Sequence, residues 1–527
     1  MQLSTAALAA RIAFAVATFS PSTVAIAQPS GAELPTLEYR IDLTERADDR
    51  FRVTLSMDSL PAGSAVLQFA ATAPGTYQIM DVGRFVDGLR ATDAEGEEIP
   101  VERVSTNQWQ VSDPARVREV SWTVAETWDT PVEANRIYPM AGTSIETDHV
   151  LFNAHAVLGF PSGLQDAPIE LALTVPDGWT VGTALEKAPD GDYIAQDYDF
   201  LVDSPILAGN LTVAHTEVTG VPIEIYTYSA GDGIRSEQLL ESMKSMLQAA
   251  GAFLGGLPVD RYVFLYHFEG APQPGAVYGA WEHSYSSEYV FPEVPFSEGF
   301  GQTLKDVAAH EFLHIVTPLN IHSEIIENFD FEKPVPSRHL WLYEGVTEWG
   351  AHASQLRSGI KSPAEYLDAM AQKIAVDRQL FDPGYSLEKL ALTSYTPEGQ
   401  AQYGNIYQRG ALVAGLLDIR LLELSNGEHG LQDLLLELMD RFGKNRPFED
   451  DELYGVLVEM TNPAIAEFFE KYVRGAEPLP FAEFYGKLGI DFIDDPEQPR
   501  FEIRDDPTAE QARLRAVWLG ESEPPAS

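Results

Sequence analysis

The chain has 527 residues, too many for one typical core, so two or three domains are expected. Hydrophobic residues make up 45% and charged residues 22%, a balance typical of folded proteins with well-buried cores. With 80 acidic and 35 basic residues its formal net charge is -45, which disfavours binding to nucleic acid or to anionic membranes. The absence of cysteine excludes disulfides, thiolate metal sites and cysteine nucleophiles, so any metal site must use His, Asp and Glu.

The N-terminus has the pattern of a secretory signal peptide. Arg11 precedes a short apolar run at 12–19, and the Ala-Ile-Ala stretch at 25–27 has the small-residue pattern of a cleavage site. The run is too short to span a bilayer as a helix. We therefore expect residues 1–27 to be removed and the protein to be exported, to a periplasm or to the medium, without stable membrane insertion.

The stretch 35–217 predicts an antiparallel, β-sandwich-like domain. Short runs of alternating apolar residues, such as 51–57, 120–124 and 169–175, are separated by Gly, Pro, Asp and Asn. A period of two with frequent turn residues is typical of strands in such sheets. The stretch contains no catalytic constellation, and we expect it to have a structural or substrate-flanking role.

From about residue 220 the pattern predicts a small sheet followed by helices, an α+β arrangement. Strands are expected at 223–228 and 263–268, with a helix at 237–254 between them. The predicted organisation is a signal peptide at 1–27, a β domain at 35–217, a catalytic domain at 220–490 and a polar C-terminal tail at 491–527. Inside the catalytic domain, helices are predicted at 303–317 and 341–358, with a helical lobe at 362–485.

The sequence His310-Glu311-Phe312-Leu313-His314 carries the central chemical signal. Positions i and i+4 project from one face of a helix about one turn apart, so two imidazoles placed there can bind a single Zn²⁺. Glu311 can reach a water in the open coordination position and act as general base. The motif therefore predicts metal-assisted hydrolysis.

A second helix, predicted at 341–358, supplies the acidic residues that such a site needs. A catalytic zinc has three protein ligands and one open position, and Glu344 is the predicted third ligand. Glu348 lies one turn further along the same face and can accept the remaining ring N–H of a ligand histidine. His322 is an alternative ligand, although it comes too late for the H-E-x-x-H-x-x-G-x-x-H pattern. The other donors between the two helices are Glu324, Glu327, Asp330, Glu332 and His339.

These motifs resemble those of the gluzincin metallopeptidases, in which H-E-x-x-H is followed by a glutamate inside W-x-x-E-G, here 341–345. Within that clan the chain is most similar to the glycyl aminopeptidase family, metallopeptidase family sixty-one. The segment 73–77 looks like the P-G-x-Y segment of its N-terminal domain, 279–283 like its G-G-x-E-H segment, and 407–410 like the Y-x-K-G segment of related enzymes. The resemblance spans about residues 35–490 and implies a thermolysin-like fold for the catalytic domain.

The resemblance also implies roles for single residues. Glu282 would bind the free α-amino group of a substrate, and Gly279 and Ala280 would let their strand approach the peptide and form main-chain hydrogen bonds with it. Tyr407 would donate its hydroxyl to the developing oxyanion, with Tyr403 as an alternative. One Zn²⁺ per chain is the implied cofactor, and peptides with a free N-terminus are the implied partners.

The predicted function is a secreted zinc metallopeptidase, specifically an aminopeptidase that releases N-terminal residues, with a preference for Gly or Ala implied by the family alone. The sequence departs from the family in the long spacer between His314 and Glu344, in Ile315–Asn320, which replaces a Trp-Asn-x-Lys-Arg stretch, and in the few residues after Gly489, too few for a PDZ domain. An endopeptidase on the same site and an inactive peptide-binding protein are the alternatives. The second is disfavoured because the ligands and the base are all present. No sequence feature predicts an oligomeric state.

Overall fold

The computed structural model describes residues 34–270 and 276–521. The predicted signal peptide therefore lies outside the described residues. Within them, no helix combines the length and the apolar character that crossing a bilayer would require.

The first part of the chain is rich in sheet. Its strands are β1 (Leu37–Asp42), β2 (Arg50–Ser56), β3 (Val66–Gln68), β4 (Val86–Thr92), β5 (Glu98–Ile99), β6 (Val101–Arg103), β7 (Gln108–Val111), β8 (Glu119–Ala125), β9 (Ser144–Ile145), β10 (His149–Phe152), β11 (Phe160–Pro161), β12 (Ile169–Thr174), β13 (Thr180–Thr183), β14 (Glu186–Lys187), β15 (Tyr193–Ala195) and β16 (Ile206–Gly209). Two short helices, α1 (Ala154–Val157) and α2 (Tyr198–Val202), lie among them, with 3₁₀ turns at Ala62–Ser64, Val82–Phe85, Pro114–Arg116 and Pro139–Ala141.

These strands form an eight-stranded sheet in the order β14-β15-β12-β1-β2-β8-β4-β5 and two four-stranded sheets, β13-β16-β10-β9 and β11-β3-β7-β6. Buried and more exposed residues alternate along β2 and β8, because one face of the sheet covers the core. The pairing is antiparallel, as predicted, except that β1 runs parallel to β12.

The second part begins with a five-stranded sheet in the order β17-β18-β19-β21-β20. Its elements are β17 (Thr212–Val218), β18 (Val221–Ser229), α3 (Ser236–Phe253), β19 (Tyr262–Glu269), β20 (Gly279–His283) and β21 (Ser286–Pro292). The predicted strands at 223–228 and 263–268 and the helix between them are confirmed, with ends that differ by one or two residues. Strand β17, which falls inside the predicted first domain, pairs with β18 through a tight hairpin and so belongs to this sheet. Strand β20 lies at the edge of the sheet, where its outer side is available to a ligand.

Helices then cover one face of this sheet and build the rest of the chain. They are α4 (Glu298–Leu313), α5 (Glu324–Glu327), the π-helix Trp341–Val346, α6 (Thr347–Arg357), α7 (Pro363–Leu380), α8 (Leu387–Leu392), α9 (Pro397–Gln402), α10 (Asn405–Leu424), α11 (Leu431–Arg441), α12 (Leu453–Met460), α13 (Ile465–Tyr472) and α14 (Phe481–Gly486). Helix α4 packs on the sheet through aromatic contacts, with the Phe312 ring 4.8 Å from that of Tyr262.

The segment predicted as a polar tail, 491–527, is in part structured. Strand β22 (Ile490–Ile493) pairs with β23 (Arg500–Ile503), and α15 (Ala509–Trp518) follows. Trp518 is 2% exposed, and its ring lies 5.4 Å from that of Tyr366 on α7. A few large apolar residues anchor this segment, although most of its residues are polar.

Candidate metal centre and catalytic cavity

Helix α4 places the two histidines of the H-E-x-x-H motif side by side. Ser297 caps the helix by accepting a hydrogen bond from the Phe300 amide, and the last helical residue is Leu313, so His314 occupies the C-cap. The helix therefore starts and ends earlier than the predicted 303–317. His310 Nε2 and His314 Nε2 are 3.1 Å apart, and both side chains are buried.

The π-helix Trp341–Val346 brings Glu344 to the same point. Glu344 Oε2 lies 3.3 Å from His310 Nε2 and 3.6 Å from His314 Nε2. Sequence periodicity predicted one continuous helix at 341–358, but its first part has the wider π spacing. The backbone of this π-helix touches α10, since a Cβ on Gly345 would lie 2.7 Å from the Cα of Gly410.

The outer ring nitrogens of the two histidines show which atoms face the centre. His314 Nδ1 lies 2.9 Å from the Thr317 carbonyl oxygen, and His310 Nδ1 lies 2.8 Å from Glu348 Oε2. Both partners can only accept, so each Nδ1 is a donor and each Nε2 of a neutral ring presents a lone pair. Two lone pairs and the Glu344 carboxylate thus converge, with ligand atoms within 4.8 Å of one another.

Three electron-rich atoms at this spacing repel one another unless a positive charge lies among them. Burial opposes that charge, yet hydrogen bonds to Glu344 and Glu348 raise the pKa of His310 well above its ordinary value. The centre therefore favours one cation, either a proton on His310 or a metal ion. Two histidines and one glutamate form the donor set of a catalytic zinc, so the residues present fit that metal.

A network of buried charges fixes the far side of His310. Glu348 Oε1 accepts a hydrogen bond of 2.6 Å from Lys373 Nζ and lies 3.3 Å from His352 Nε2. Burial by itself would raise the pKa of Glu348, but Lys373 and the hydrogen bond to His310 hold it well below its ordinary value. Glu348 is consequently an anion that bridges the candidate ligand and the buried lysine.

Two further carboxylates, Glu311 and Glu282, face the same centre. Burial raises the pKa of Glu311 to about 8, with Glu344 adding to the shift and His310 opposing it. Glu282 on β20 is 8% exposed, and its carboxylate interacts with its own main-chain amide but forms no ion pair with another side chain of the described residues. Burial, followed by repulsion from Glu344 and Glu311, raises the pKa of Glu282 well above its ordinary value. An uncompensated carboxylate in such a place binds a cationic ligand well.

The triad opens into a cavity of about 100 Å³. Its lining residues are Gly75, Thr76, Tyr138, Met140, Ala141, Ala280, Trp281, Glu282, His310, Glu311, His314, Glu344, Tyr403 and Tyr407. The Tyr407 ring lies edge-on to His310 at 5.5 Å, and Tyr403 is its neighbour at 6.0 Å. Gly279 does not line this cavity and lies under Met140 instead, where an added Cβ would be 2.7 Å from the Met140 methyl.

A loop from the first part of the chain closes the cavity beside Glu282. Trp281 Nε1 donates to the Pro74 carbonyl oxygen at 3.1 Å, which holds the loop on β20. Gly75 has φ +73°, and a Cβ there would lie 2.7 Å from Glu282 Oε1. Only glycine fits both this backbone and this contact. On the other side of the loop a second cavity of about 360 Å³ is lined by Trp281, Glu282 and His283.

The alternative ligands from the spacer point elsewhere. His322 uses both ring nitrogens, on the Pro318 carbonyl oxygen at 2.8 Å and on Glu327 at 2.6 Å. His339 Nε2 donates to the Asp450 carbonyl oxygen at 2.7 Å. The long spacer thus forms its own hydrogen bonds and adds no donor to the triad.

Sequence reasoning missed several residues that the structure places at the site, among them Lys373, Tyr138 and Met140. Lys373 is a single buried lysine in an amphipathic helix, and no motif surrounds it. Tyr138 and Met140 lie in an irregular stretch between β8 and β9. Their position follows from the tertiary arrangement, and no local pattern could have revealed it.

Comparison with known proteins agrees with this architecture. The profile of the Peptidase M61 N-terminal domain matches residues 38–210, and that of the M61 glycyl aminopeptidase matches residues 303–413. Among curated proteins none matches the chain significantly. Together the two profile matches span more than half of the chain.

Solved structures with the same fold include an aminopeptidase N family protein from Idiomarina loihiensis, with a TM-score of 0.76 at 22% identity over 87% of this chain and 79% of that one. An M1 zinc metallopeptidase from Deinococcus radiodurans has a TM-score of 0.51 at 14% identity, covering 85% of this chain and 95% of its own. Yeast LTA4 hydrolase has a TM-score of 0.52 at 12% identity, covering 86% and 70%. At these identities the likeness establishes the fold, and the two profile matches show that the chain belongs to the M61 glycyl aminopeptidase family of peptidases.

Proposed function

We propose that the protein is an exported zinc aminopeptidase, which hydrolyses the first peptide bond of substrates that have a free amino terminus. The observation that carries the proposal is one small cavity in which the three converging ligand atoms adjoin the buried, uncompensated carboxylate of Glu282. The first feature suits metal-assisted hydrolysis, and the second suits a substrate ammonium group.

In this proposal His310, His314 and Glu344 hold one Zn²⁺, while Glu348 and the Thr317 carbonyl oxygen orient the two imidazoles. When bound, zinc supplies Lewis-acid chemistry, which polarises a carbonyl group and lowers the pKa of water. The hydrogen bonds from both Nδ1 atoms support this assignment, because they leave the Nε2 lone pairs free for the metal.

Glu311 is the proposed general base. A divalent cation at the triad favours the ionised form of this carboxyl group and so offsets the effect of burial on its pKa. The carboxylate takes a proton from the attacking water and transfers it to the nitrogen of the leaving amine as the C–N bond breaks. The products are a free amino acid and a peptide shortened by one residue.

Tyr407 is the proposed donor to the carbonyl oxygen as negative charge develops there. Its ring lies edge-on to His310 at 5.5 Å, and its hydroxyl is close enough to Glu344 to affect the pKa of that carboxyl group, so the donor adjoins the proposed ligands. A donor that is already in place stabilises the transition state without a reorganisation cost. Tyr403 lines the same cavity and is the alternative donor.

Glu282 is the proposed partner of the α-ammonium group, and the loop at Gly75 closes the cleft beyond it. Because that loop contacts both Glu282 and Trp281, it would block a substrate peptide with further residues before the one bound at Glu282. Ala280 lies on edge strand β20 and lines the cavity, where its main chain would pair with the peptide backbone, whereas Gly279 lies outside the cavity under Met140. This arrangement favours removal of one residue at a time.

An endopeptidase is the second candidate, and the cavity of about 360 Å³ beyond Gly75 is the observation that favours it. If the loop moves, that cavity would accept residues upstream of the scissile bond. The pattern at 1–27 supports export in either case, to the periplasm or to the medium.

The test is a pair of peptides of the same sequence, one with a free and one with an acetylated amino terminus, incubated with zinc-loaded protein. We expect release of the first residue from the free peptide only. Glu311→Gln should abolish the reaction, whereas Glu298→Gln, the same change in the exposed first turn of α4, should not. Equal cleavage of both peptides would show an endopeptidase, and cleavage of neither across varied sequences would contradict both.

A further inference from the structure

One wall of the catalytic cavity comes from the sheet-rich first part of the chain. The 3₁₀ turn Pro139–Ala141 lies between β8 and β9, and Tyr138, Met140 and Ala141 line the same cavity as the triad. Met140 is half-buried and is the largest non-aromatic apolar side chain among the lining residues, which also include Trp281. The shape of the cavity therefore depends on residues far in sequence from the zinc motif.

Buried side chains hold this turn in place through its carbonyl oxygens. Trp128 Nε1 donates to Pro139 O at 2.9 Å, and Asn153 Nδ2 donates to Met140 O at 3.1 Å. His155 Nε2 lies 2.9 Å from Ala141 O. Burial lowers the pKa of His155 to about 3, so the ring is neutral and its proton lies on Nε2. Three consecutive carbonyls are thus fixed, and the turn cannot yield easily to a bulky ligand.

The Met140 side chain spans the gap between this turn and the edge strand. Its methyl group lies 2.7 Å from where a Cβ on Gly279 would be, so the strand has glycine where methionine covers it. The cavity of about 100 Å³ that remains is small beside the ~300–1,000 Å³ typical of pockets for drug-sized ligands. It also offers no charged group apart from the carboxylates and histidines of the centre itself.

We propose that Met140, whose turn is fixed by the hydrogen bonds to its carbonyl oxygens, determines substrate specificity by limiting the N-terminal residue of the substrate to those with the smallest side chains. The inference rests on the proposed aminopeptidase function and assigns its size selection to a side chain outside the catalytic region. A substrate whose ammonium group pairs with Glu282 and whose first carbonyl faces the triad has its α-carbon between them. Its side chain then points toward the remaining wall, where Met140 and Tyr138 lie.

The test compares kcat/KM for free peptides that differ only in the first residue, glycine, alanine or leucine. Met140→Ala should raise the leucine-to-glycine ratio by about 10-fold or more, since a few methylene groups in an apolar pocket are worth about that much discrimination. Met140→Phe should change the pocket in the opposite sense and lower the alanine-to-glycine ratio. Ratios measured on one preparation cancel any loss of folded protein.

Met439→Ala is the matched control, because it truncates another half-buried methionine in the helical part of the chain. It should leave all ratios at the wild-type values. Unchanged ratios in both Met140 variants, or an equal shift in the Met439 variant, would overturn the assignment. A wild-type protein that releases no N-terminal residue from any peptide of the set would instead refute the proposed function itself, and the size selection with it.

Discussion

Replacing Glu348 by Gln should weaken zinc binding although Glu348 does not face the metal. In the wild type this carboxylate accepts a hydrogen bond of 2.8 Å from His310 Nδ1 and one of 2.6 Å from Lys373 Nζ. Glutamine keeps the shape and a neutral acceptor but removes the negative charge. His310 then loses the partner that makes its Nε2 more basic and that fixes its ring.

The expected loss has two parts. Removal of a carboxylate behind a ligand histidine costs about 10- to 100-fold in metal affinity, or about 1.4–2.8 kcal/mol. The fold is destabilised as well, because Lys373 is 9% exposed and is left without its anion. Breaking a buried ion pair on one side costs up to about 3–5 kcal/mol. The double variant Glu348→Gln/Lys373→Met removes the stranded charge, so it should recover folding stability without recovering zinc affinity.

Zinc affinity is measured by competition with a chelator of known affinity, and stability by thermal unfolding of the metal-free proteins. Glu327→Gln is the matched control, since Glu327 pairs with His322 at 2.6 Å outside the triad. It should leave zinc affinity unchanged. The reasoning fails if folded Glu348→Gln binds zinc as tightly as the wild type, or if the control weakens binding to the same extent.

Three further predictions concern the cavity and its surroundings. Tyr407→Phe should lower kcat by about 10²–10³-fold through loss of the oxyanion donor, and a larger effect of Tyr403→Phe in steady-state kinetics would reverse that assignment. Gly75→Ala should raise KM for a free peptide by about 10-fold, because alanine at φ +73° is strained and its Cβ would lie 2.7 Å from Glu282 Oε1. An unchanged KM would contradict the proposal that the loop at Gly75 closes the cleft beside Glu282. Burial raises the pKa of Asp199 from 3.8 to about 7, so the folded state holds its proton more tightly and the free energy of unfolding falls as pH rises between those values. Between pH 4 and pH 8 the free energy of unfolding of the wild type should fall by at most about 4 kcal/mol, and by about half of that because Asp199 is only half-buried. In denaturant titrations at these two pH values, Asp199→Asn should not show this fall.

The sequence predicts the strands, the order of the helices and the pairing of the two histidine ligands because each depends on local periodicity. The i and i+4 spacing in α4 brings His310 and His314 together whatever surrounds them. The contact of Glu348 with His310 also follows from spacing on one helix face. The π spacing at Glu344 does not, since a change of hydrogen-bond register leaves the apolar pattern nearly unaltered.

What sequence reasoning could not supply is the set of neighbours that meet across the fold. Lys373 is one of five lysines on the helices of the described residues, and only the packing of α7 beside α6 makes it the partner of Glu348. Met140 lies about 170 residues before the zinc motif. The structured segment that contains Trp518 is mostly polar, so its few apolar anchors are too sparse to give a periodic signal.

The backbone contact between Gly345 and Gly410 links the position of a candidate metal ligand to that of a candidate oxyanion donor. Glu344 precedes the first glycine, and Tyr407 lies one turn before the second, so a candidate metal ligand and a candidate oxyanion donor sit on either side of the same contact. Any side chain placed at either glycine would push the helices apart and carry both groups with it. In a mutant library, substitutions at Gly345 or Gly410 would therefore displace Glu344 and Tyr407 together, and neither group could be varied through this contact without moving the other.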